Sequence, residues 1–587
     1  MRRIRNALCA VVLAACGCTQ TAQLHFARGS ERWHTPSARR ASKADEEHAT
    51  VAAATPPPNC DGAKVKAYNH QICCDKVSEI VAPENLAELE KAITSAHHVR
   101  VVANSHTSNE QICTDGVGIS IANFNQIHGL RRKSGVEWVD VDAGVRLSDL
   151  NRWLYEHGWG IGYTTIGFRG ITIGGGLATA VHGSSLRNQS VLSSRLVWIQ
   201  FVDGQGRKHE VWRPAAAGAT DATNATNATN ATGATNAERL RWRALAGNVG
   251  MLGVVTRVGL EVERRFNLDV KTDFMSDDVL WDKGVETLVG DCDWGQMVWL
   301  PRAGKVMRMC GMHTLEEPNP GANNSLLAPH VEAGAMGAFK ELMEDTIANG
   351  AYLCDIETER YRQLKSYPPF VKDCCCKKKY DAHVVGPMDL MMSSELTEHQ
   401  ESLGEIDYEI AVPLSEAKAA LERVRDYVKE KRLCMPLIGA FLRFSPVNGD
   451  TLIGHSTTDE AGFKGQKVMF LEFVVYVLHT PEDAGEAARQ KRDYYDLYRE
   501  LALLIVKHHK GRPHWAKNET AVFQEVRKDD AAYRERLREF QCFVGKYDPE
   551  NRFGNAFTAA VGLTPTQTER EEGAAKVCGG VVPKDDL

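Results

Sequence analysis

Three consecutive glycines, Gly174-Gly175-Gly176, follow the apolar segment Gly170-Ile171-Thr172-Ile173 and run on into Leu177-Ala178-Thr179-Ala180-Val181-His182-Gly183-Ser184-Ser185. Three residues in a row without Cβ let the backbone come very close to whatever faces it. That is either a packed neighbouring strand or a bound group whose phosphates accept backbone N–H bonds. The nicotinamide-type fingerprint GxGxxG is not met, because its third glycine position is occupied by Thr179. A nicotinamide-type dinucleotide fold is therefore poorly supported, and the run reads as a close backbone approach of another kind.

The pattern around this run is α+β, without a regular βαβ alternation. Val101-Val102, Ile119-Ser120-Ile121, Val136 to Val141, Val197 to Val202 and Gly253 to Val262 read as strands. Pro83 to Ala96 and Leu147 to His157 read as helices, the second stopped by Gly158. From about Phe266 the chain changes to mixed strands and long amphipathic helices. Leu414 to Glu430 and Arg489 to His508 read as helices, and Val468 to Val477 as a buried strand. Within the first pattern, between the strand-like segments Val197 to Val202 and Gly253 to Val262, lies a low-complexity insert, residues 215–237, built largely of Ala-Thr-Asn repeats, with Asn224, Asn227 and Asn230 in Asn-Ala-Thr sequons.

A chain of 587 residues is too long for one ordinary core, so two or more are expected. A net charge of -6 gives no reason to expect nucleic acid, which asks for a clustered basic surface. Arg2, Arg3 and Arg5 followed by the short apolar stretch Ala7 to Ala15 read as a targeting segment over residues 1–18. Leu13-Ala14-Ala15-Cys16 has the form of a lipobox, although an ordinary signal peptide can end the same way, so the expected product is an exported protein, either secreted or held at a membrane only by a lipid on Cys16. Residues 19–70 read as a polar tether and 564–587 as a fraying tail. Export permits disulfides, and Cys60, Cys73 and Cys74 are candidates. No CxxC pair is present, and the adjacent Cys374-Cys375-Cys376 cannot supply tetrahedral ligands at the usual spacing, so no metal is expected.

Two further stretches carry chemical groups. Val101-Val102-Ala103-Asn104-Ser105-His106-Thr107 ends a strand in small and hydroxylated residues and then presents one imidazole, followed by Cys113-Thr114-Asp115-Gly116. Alone, His106 reads as a loop histidine bonded to its own turn. Arg512-Pro513-His514-Trp515-Ala516-Lys517 gathers donors suited to a polyol, although a surface loop would tolerate the same residues.

Taken in order, these stretches resemble the aldonolactone oxidase family, with its plant-type L-gulono-1,4-lactone and D-arabinono-1,4-lactone oxidases, among the vanillyl-alcohol-oxidase-like flavoproteins. The likeness runs from about Cys60 to Leu563. It also takes in Asp142-Ala143-Gly144-Val145-Arg146-Leu147, Gly250-Met251-Leu252-Gly253-Val254-Val255-Thr256, Gly439-Ala440-Phe441-Leu442-Arg443-Phe444 and Tyr547-Asp548-Pro549-Glu550.

The resemblance implies an α+β chain with a PCMH-type FAD-binding unit at 71–265 and a substrate unit at 266–563. It implies FAD bound through Ser105, His106, Thr107, Asp115, Gly174, Gly175, Gly176, Thr179, His182, Gly183, Ser184, Gly250, Gly253 and Val254. The flavin would be covalently attached to His106. The glycine run and His182-Gly183-Ser184-Ser185 would wrap the diphosphate, and Gly250 and Gly253 would pass the adenine half. Arg443, Lys517 and His514 are the implied catalytic residues: Lys517 as a lysine whose pKa burial beside Arg443 lowers so that it accepts a proton, Arg443 stabilising the alkoxide, and His514 orienting the substrate. That substrate would be a sugar lactone or polyol, with oxygen or another electron acceptor. The chain departs from the family where Ala103-Asn104 replace glycines and where Phe441 stands in place of a Glu.

Overall fold

The computed structural model describes residues 62–67, 72–164, 170–214, 235–324, 326, 353–374, 377–393, 404–435, 439–447, 450–456, 467–477, 486–565 and 578. The leader with Cys16, most of the tether and insert, and Cys375-Cys376 lie outside them.

The first unit is built around two principal sheets, beside two small two-stranded ones. A parallel three-stranded sheet is formed by β1 (Glu79–Val81), β2 (Val99–Val102) and β3 (Val117–Ser120), with β3 in the middle. Helix α1 (Leu86–Ser95) makes the parallel crossover between β1 and β2. It begins later than Pro83 because Asn85 caps it, accepting from the Glu88 N–H at 3.0 Å. The second sheet is antiparallel and runs β7-β6-β8-β5-β4, from β4 (Ile127–Lys133), β5 (Val136–Asp142), β6 (Leu196–Val202), β7 (Lys208–Trp212) and β8 (Val254–Glu261). Helix α2 (Leu147–Glu156) and the six-residue helix α3 (Ile173–Ala178), which contains the glycine run, follow β5. The insert ends earlier than expected, since Thr235 makes a capping box with Glu238 and a helix starts at Asn236.

The second unit is an eight-stranded antiparallel sheet. Its strands are β9 (Asn267–Ser276), β10 (Trp294–Leu300), β11 (Lys305–Thr314), β12 (His383–Pro387), β13 (Gly404–Pro413), β14 (Ala440–Pro446), β15 (Lys467–Val477) and β16 (Arg512–Pro513), in the order β12-β9-β11-β10-β14-β15-β13-β16. Helices α4 (Ala417–Lys431) and α5 (Glu486–His508) pack on β13, and α5 also on β15. In α4 the buried positions Ala417, Ala420, Leu421, Val424, Tyr427 and Val428 recur every three or four residues, which is the stripe a helix needs to bury one face.

The two units share one contiguous core that reaches from Leu89 and Val141 to Trp299, Phe444 and Phe540. The chain end returns to the first unit: the Val99 N–H donates to the Arg552 carbonyl at 2.8 Å and the Gly204 N–H to the Tyr547 carbonyl at 2.8 Å. Disulfides join Cys74 to Cys113, Cys292 to Cys310, Cys354 to Cys434 and Cys542 to Cys578, so Cys578 in the polar tail is tied to the fold. No helix among the described residues is long and apolar enough to cross a membrane.

Candidate active site

A cleft of about 1300 Å³, open at its mouth, runs between the units. From the first unit it is lined by Ser105, His106 and Thr107, by Gly174, Gly175, Thr179 and His182, and by Gly250 and Gly253. From the second it is lined by Arg443, His514 and Lys517. Segments more than 400 residues apart in sequence thus face one space.

The His106 loop and the 514–518 turn are stitched into a single wall. The Ser108 N–H donates to the Ala516 carbonyl at 2.8 Å, and the Thr107 hydroxyl donates to the same oxygen at 3.0 Å. The buried Asn109 amide donates to the carbonyls of Trp515 at 2.8 Å and of Lys517 and Asn518, both at 3.2 Å. Burial, and then the positive Arg146, push the His106 imidazole down to about 4, so the ring is neutral at ordinary pH.

Five implied cofactor residues do not line the cleft. Asp115 lies on the surface, 2.6 Å from His98 Nδ1. Gly176 faces the core: a Cβ there would sit 3.0 Å from Val181 and 3.2 Å from Leu192. The Gly183 N–H is held by the Ser190 carbonyl at 2.7 Å. Ser184 Oγ joins the units, donating to the Gly295 carbonyl and accepting from the Phe444 N–H. Val254 is buried in β8 between Gly253 and Val255, which do line the cleft, as strand alternation requires.

The glycine run approaches closely but does not offer free N–H groups. The Gly174 N–H goes to the Ala143 carbonyl at 2.8 Å, Gly175 to Thr172 Oγ1 at 3.3 Å and Gly176 to the Thr172 carbonyl at 2.9 Å.

His182, expected at the diphosphate, instead joins a buried charge network. Its Nε2 lies 2.6 Å from Glu409 Oε1, and its ring stacks on Phe470 at 3.5 Å between centroids. Lys517 Nζ lies 2.9 Å from Glu409 Oε2 and also contacts Glu472. Arg443 reaches Glu472 Oε2 at 2.8 Å and Glu409 Oε2 at 3.5 Å. The network follows from register. Glu409 of β13 sits directly opposite Glu472 of β15, Glu472 opposite Phe441 of β14, and Arg443 opposite Phe470. Two carboxylates facing each other across a strand pair repel, and the two cations between them reverse that.

This corrects the reading of Lys517. Burial alone would lower its pKa, but Glu409 and Glu472 outweigh burial and raise it, so the side chain stays an ammonium. Glu409 is pushed up by burial, yet Lys517, His182 and His514 pull it well below the usual carboxylate range. Burial holds His514 down to about 3, against the pull of Glu409. His514 Nδ1 accepts from the Ala516 N–H at 3.1 Å, so the neutral ring carries its proton on Nε2 and is a donor.

His182, Glu409, His455 and His514 bring ligand-type atoms within 4.8 Å of one another. The donor tautomer of His514, and an ammonium already on the Glu409 carboxylate, fit a proton network better than a cation cage. Sequence reasoning missed Glu409 and Glu472. The available signal was an acidic residue between apolar neighbours in each of two strands, Tyr408-Glu409-Ile410 and Leu471-Glu472-Phe473.

Comparison with known proteins agrees with this architecture. Residues 77–211 match the model of an FAD binding domain, and residues 258–561 match the D-arabinono-1,4-lactone oxidase model. Cholesterol oxidase from Brevibacterium sterolicum superposes with a TM-score of 0.65 at 13% identity, covering 88% of this chain and 100% of that one, which shows a shared fold. The L-gulono-1,4-lactone dehydrogenase of Mycobacterium tuberculosis is 23% identical over 84% of this chain and 97% of its own. L-gulonolactone oxidase 2 of Arabidopsis thaliana is 22% identical over 82% and 80%.

Fold and cleft define an FAD-binding oxidoreductase of α+β, PCMH-type architecture. More narrowly, the chain belongs to the D-arabinono-1,4-lactone oxidase family. The cleft lining fits the cofactor: the neutral His106 imidazole faces it beside Gly174, Gly175, Gly250 and Gly253, which bring no Cβ to the wall.

Proposed function

We propose that the protein oxidises an aldono-1,4-lactone, of L-gulono or D-arabinono type, at a carbinol carbon. Oxygen is the acceptor and FAD is attached through His106. The observation that carries this reading is the convergence of Arg443 and Lys517, held on Glu409 and Glu472, upon the cleft that also exposes His106.

Bound FAD supplies the acceptor for the hydride of the carbinol C–H. The residues do the rest. Arg443 and Lys517 hold the substrate hydroxyl oxygen and stabilise negative charge on it. Lys517 already carries its full complement of protons and Glu409 is held charged by its cations, so neither is the base and the hydroxyl proton passes to water in the open cleft. His514 donates from Nε2 to a ring or carbonyl oxygen and orients the substrate. A neutral His106 has the lone pair that attachment needs.

The disulfides among the described residues support the expectation that the protein works outside the reducing cytoplasm; the anchor on Cys16 is the further part of this reading. A second reading, oxidation of an open-chain alditol, draws on the same donors.

Acid precipitation tests attachment: flavin stays in the pellet of the parent and moves to the supernatant in His106→Ala. Oxygen consumption over a panel of lactones and alditols tests the substrate class. Turnover only with an artificial dye would replace oxidase by dehydrogenase.

A further inference from the structure

Asn109 follows closely on His106 and is 1% exposed, behind the wall that Ser108, Ala516 and Lys517 present to the cleft. The two ends of its amide serve different units. Oδ1 accepts from the Gln111 N–H at 3.2 Å, which caps the short turn after the His106 loop and fixes which way the amide points. Nδ2 donates across to the carbonyls of Trp515 at 2.8 Å and of Lys517 and Asn518 at 3.2 Å. A side chain placed there cannot touch a substrate in the cleft. It can act only on the turn that carries Lys517.

That turn is anchored on two sides. Toward its own unit, the His514 N–H donates to the Glu409 carbonyl at 3.0 Å, the Asn518 N–H to the Asp407 carbonyl at 2.8 Å, and Asn518 Nδ2 to the Glu409 carbonyl at 2.8 Å. These bonds tie the turn to β13 and so set where Lys517 stands relative to Glu409. Toward the first unit, the Ser108 N–H holds the Ala516 carbonyl by main chain alone, a bond that side-chain substitution leaves in place. Asn109 instead reaches the carbonyls on both sides of Ala516, that of Lys517 itself included. The charge of Lys517 is therefore governed from β13, and its distance from the His106 loop from Asn109.

We propose that Asn109 is a positioning residue: its amide sets where the Lys517 ammonium stands over the flavin held at His106. The inference rests on the FAD reading of the cleft.

The test uses the flavin-loaded full chain with two probes, inorganic sulfite and an aldono-1,4-lactone. Sulfite adds to the flavin ring, and a positive charge beside the ring stabilises the anionic adduct, so its Kd reads the placement of Lys517 without turnover. Lys517→Met gives the value for an absent ammonium. Asn109→Ala should weaken sulfite by about 3- to 10-fold, part of the way to Lys517→Met, and lower kcat by about 10- to 100-fold with KM within about threefold. Asn109→Asp, which turns an oxygen toward three carbonyl oxygens, should fall further on both readouts. Leu89→Ala, a core truncation in α1 that does not line the cleft, should lose as much stability yet bind sulfite like the parent.

A folded Asn109→Ala protein that binds sulfite like the parent, or a loss that Leu89→Ala reproduces, would overturn the proposal and leave Asn109 a staple of the fold. Should Asn109→Ala not fold, Asn109→Ser is read in the same way, and failure of both assigns the amide to folding and overturns the proposal. A Lys517→Met protein with parental sulfite affinity would overturn it as well. A parent that forms the adduct but oxidises neither lactone nor alditol would sink the proposed substrate class and leave sulfite to decide the role of Asn109.

Discussion

Lys517 and Glu409 form a buried ion pair, with Nζ 2.9 Å from Oε2, and the other oxygen of the same carboxylate lies 2.6 Å from the His182 ring of the first unit. One side chain therefore couples the buried cation of the second unit to the FAD-binding unit. The Lys517 ammonium is maintained by its partners despite its burial.

Glu409→Gln should be more harmful than its conservative size suggests. It leaves Lys517 and the His182 ring without their shared partner, at a cost of about 3–5 kcal/mol in stability. Lys517→Met alone should cost a comparable amount. The double variant should cost clearly less than the sum, because it removes both charges together. Urea unfolding of the four proteins gives the coupling, and strict additivity would deny the pair.

The pH dependence of kcat/KM should show no limb from a lysine of lowered pKa between about pH 6 and 9, since Glu409 and Glu472 raise Lys517 against burial. Lys517→Arg, which keeps the charge, should retain more activity than Lys517→Met, which should lose about 100-fold or more. A neutral-range limb that vanishes in Lys517→Arg would restore the role of proton acceptor to this lysine.

His514 stays neutral in the folded protein down to about 3, whereas an unfolded histidine takes up its proton near 6.5. Between those values the unfolded state binds more protons, so the folded state loses stability as pH falls. In His514→Asn that loss disappears. The stability of the parent relative to this variant should drop by on the order of 2–3 kcal/mol between about pH 7.5 and pH 4.5. Paired urea titrations measure it, and a constant difference would mean that His514 is not held neutral.

The glycines should separate by function. Gly175→Ala places a methyl at the cleft wall, 3.1 Å from Thr172 Oγ1, and should lower flavin content more than stability. Gly176→Ala drives a methyl against Val181 and Leu192 and should cost about 1–3 kcal/mol while the remaining folded protein still binds flavin. Ser184→Ala removes a link between the units, costs about 1–2 kcal/mol, and should leave flavin affinity unchanged. Flavin titration beside thermal melting distinguishes these outcomes.

Local pattern carried the secondary structure well wherever it was itself the cause. The stripe of α4, the Gly158 stop of α2 and the β-branched run of β15 are each decided within a few residues. Helix α1 started late because the Asn85 cap outcompeted the Pro83 start. Asp115, Gly183 and Ser184 were implied as cofactor residues because they stand in the motifs that carry the family resemblance. Contact is decided by which way each faces, and a turn or strand alternation turned them elsewhere.

The sequence by itself determined the family, the two-unit α+β plan and the identity of the cleft-facing His106, Arg443, His514 and Lys517, because short motifs and periodicity are local properties. Only the tertiary structure decided their charge states and partners. Glu409 and Glu472 come together through the register of β13 on β15, and Asn109 meets the 515–518 turn across 406 residues of chain. A pKa is set by burial and by neighbours in space, and neither is written into the order of residues along the chain.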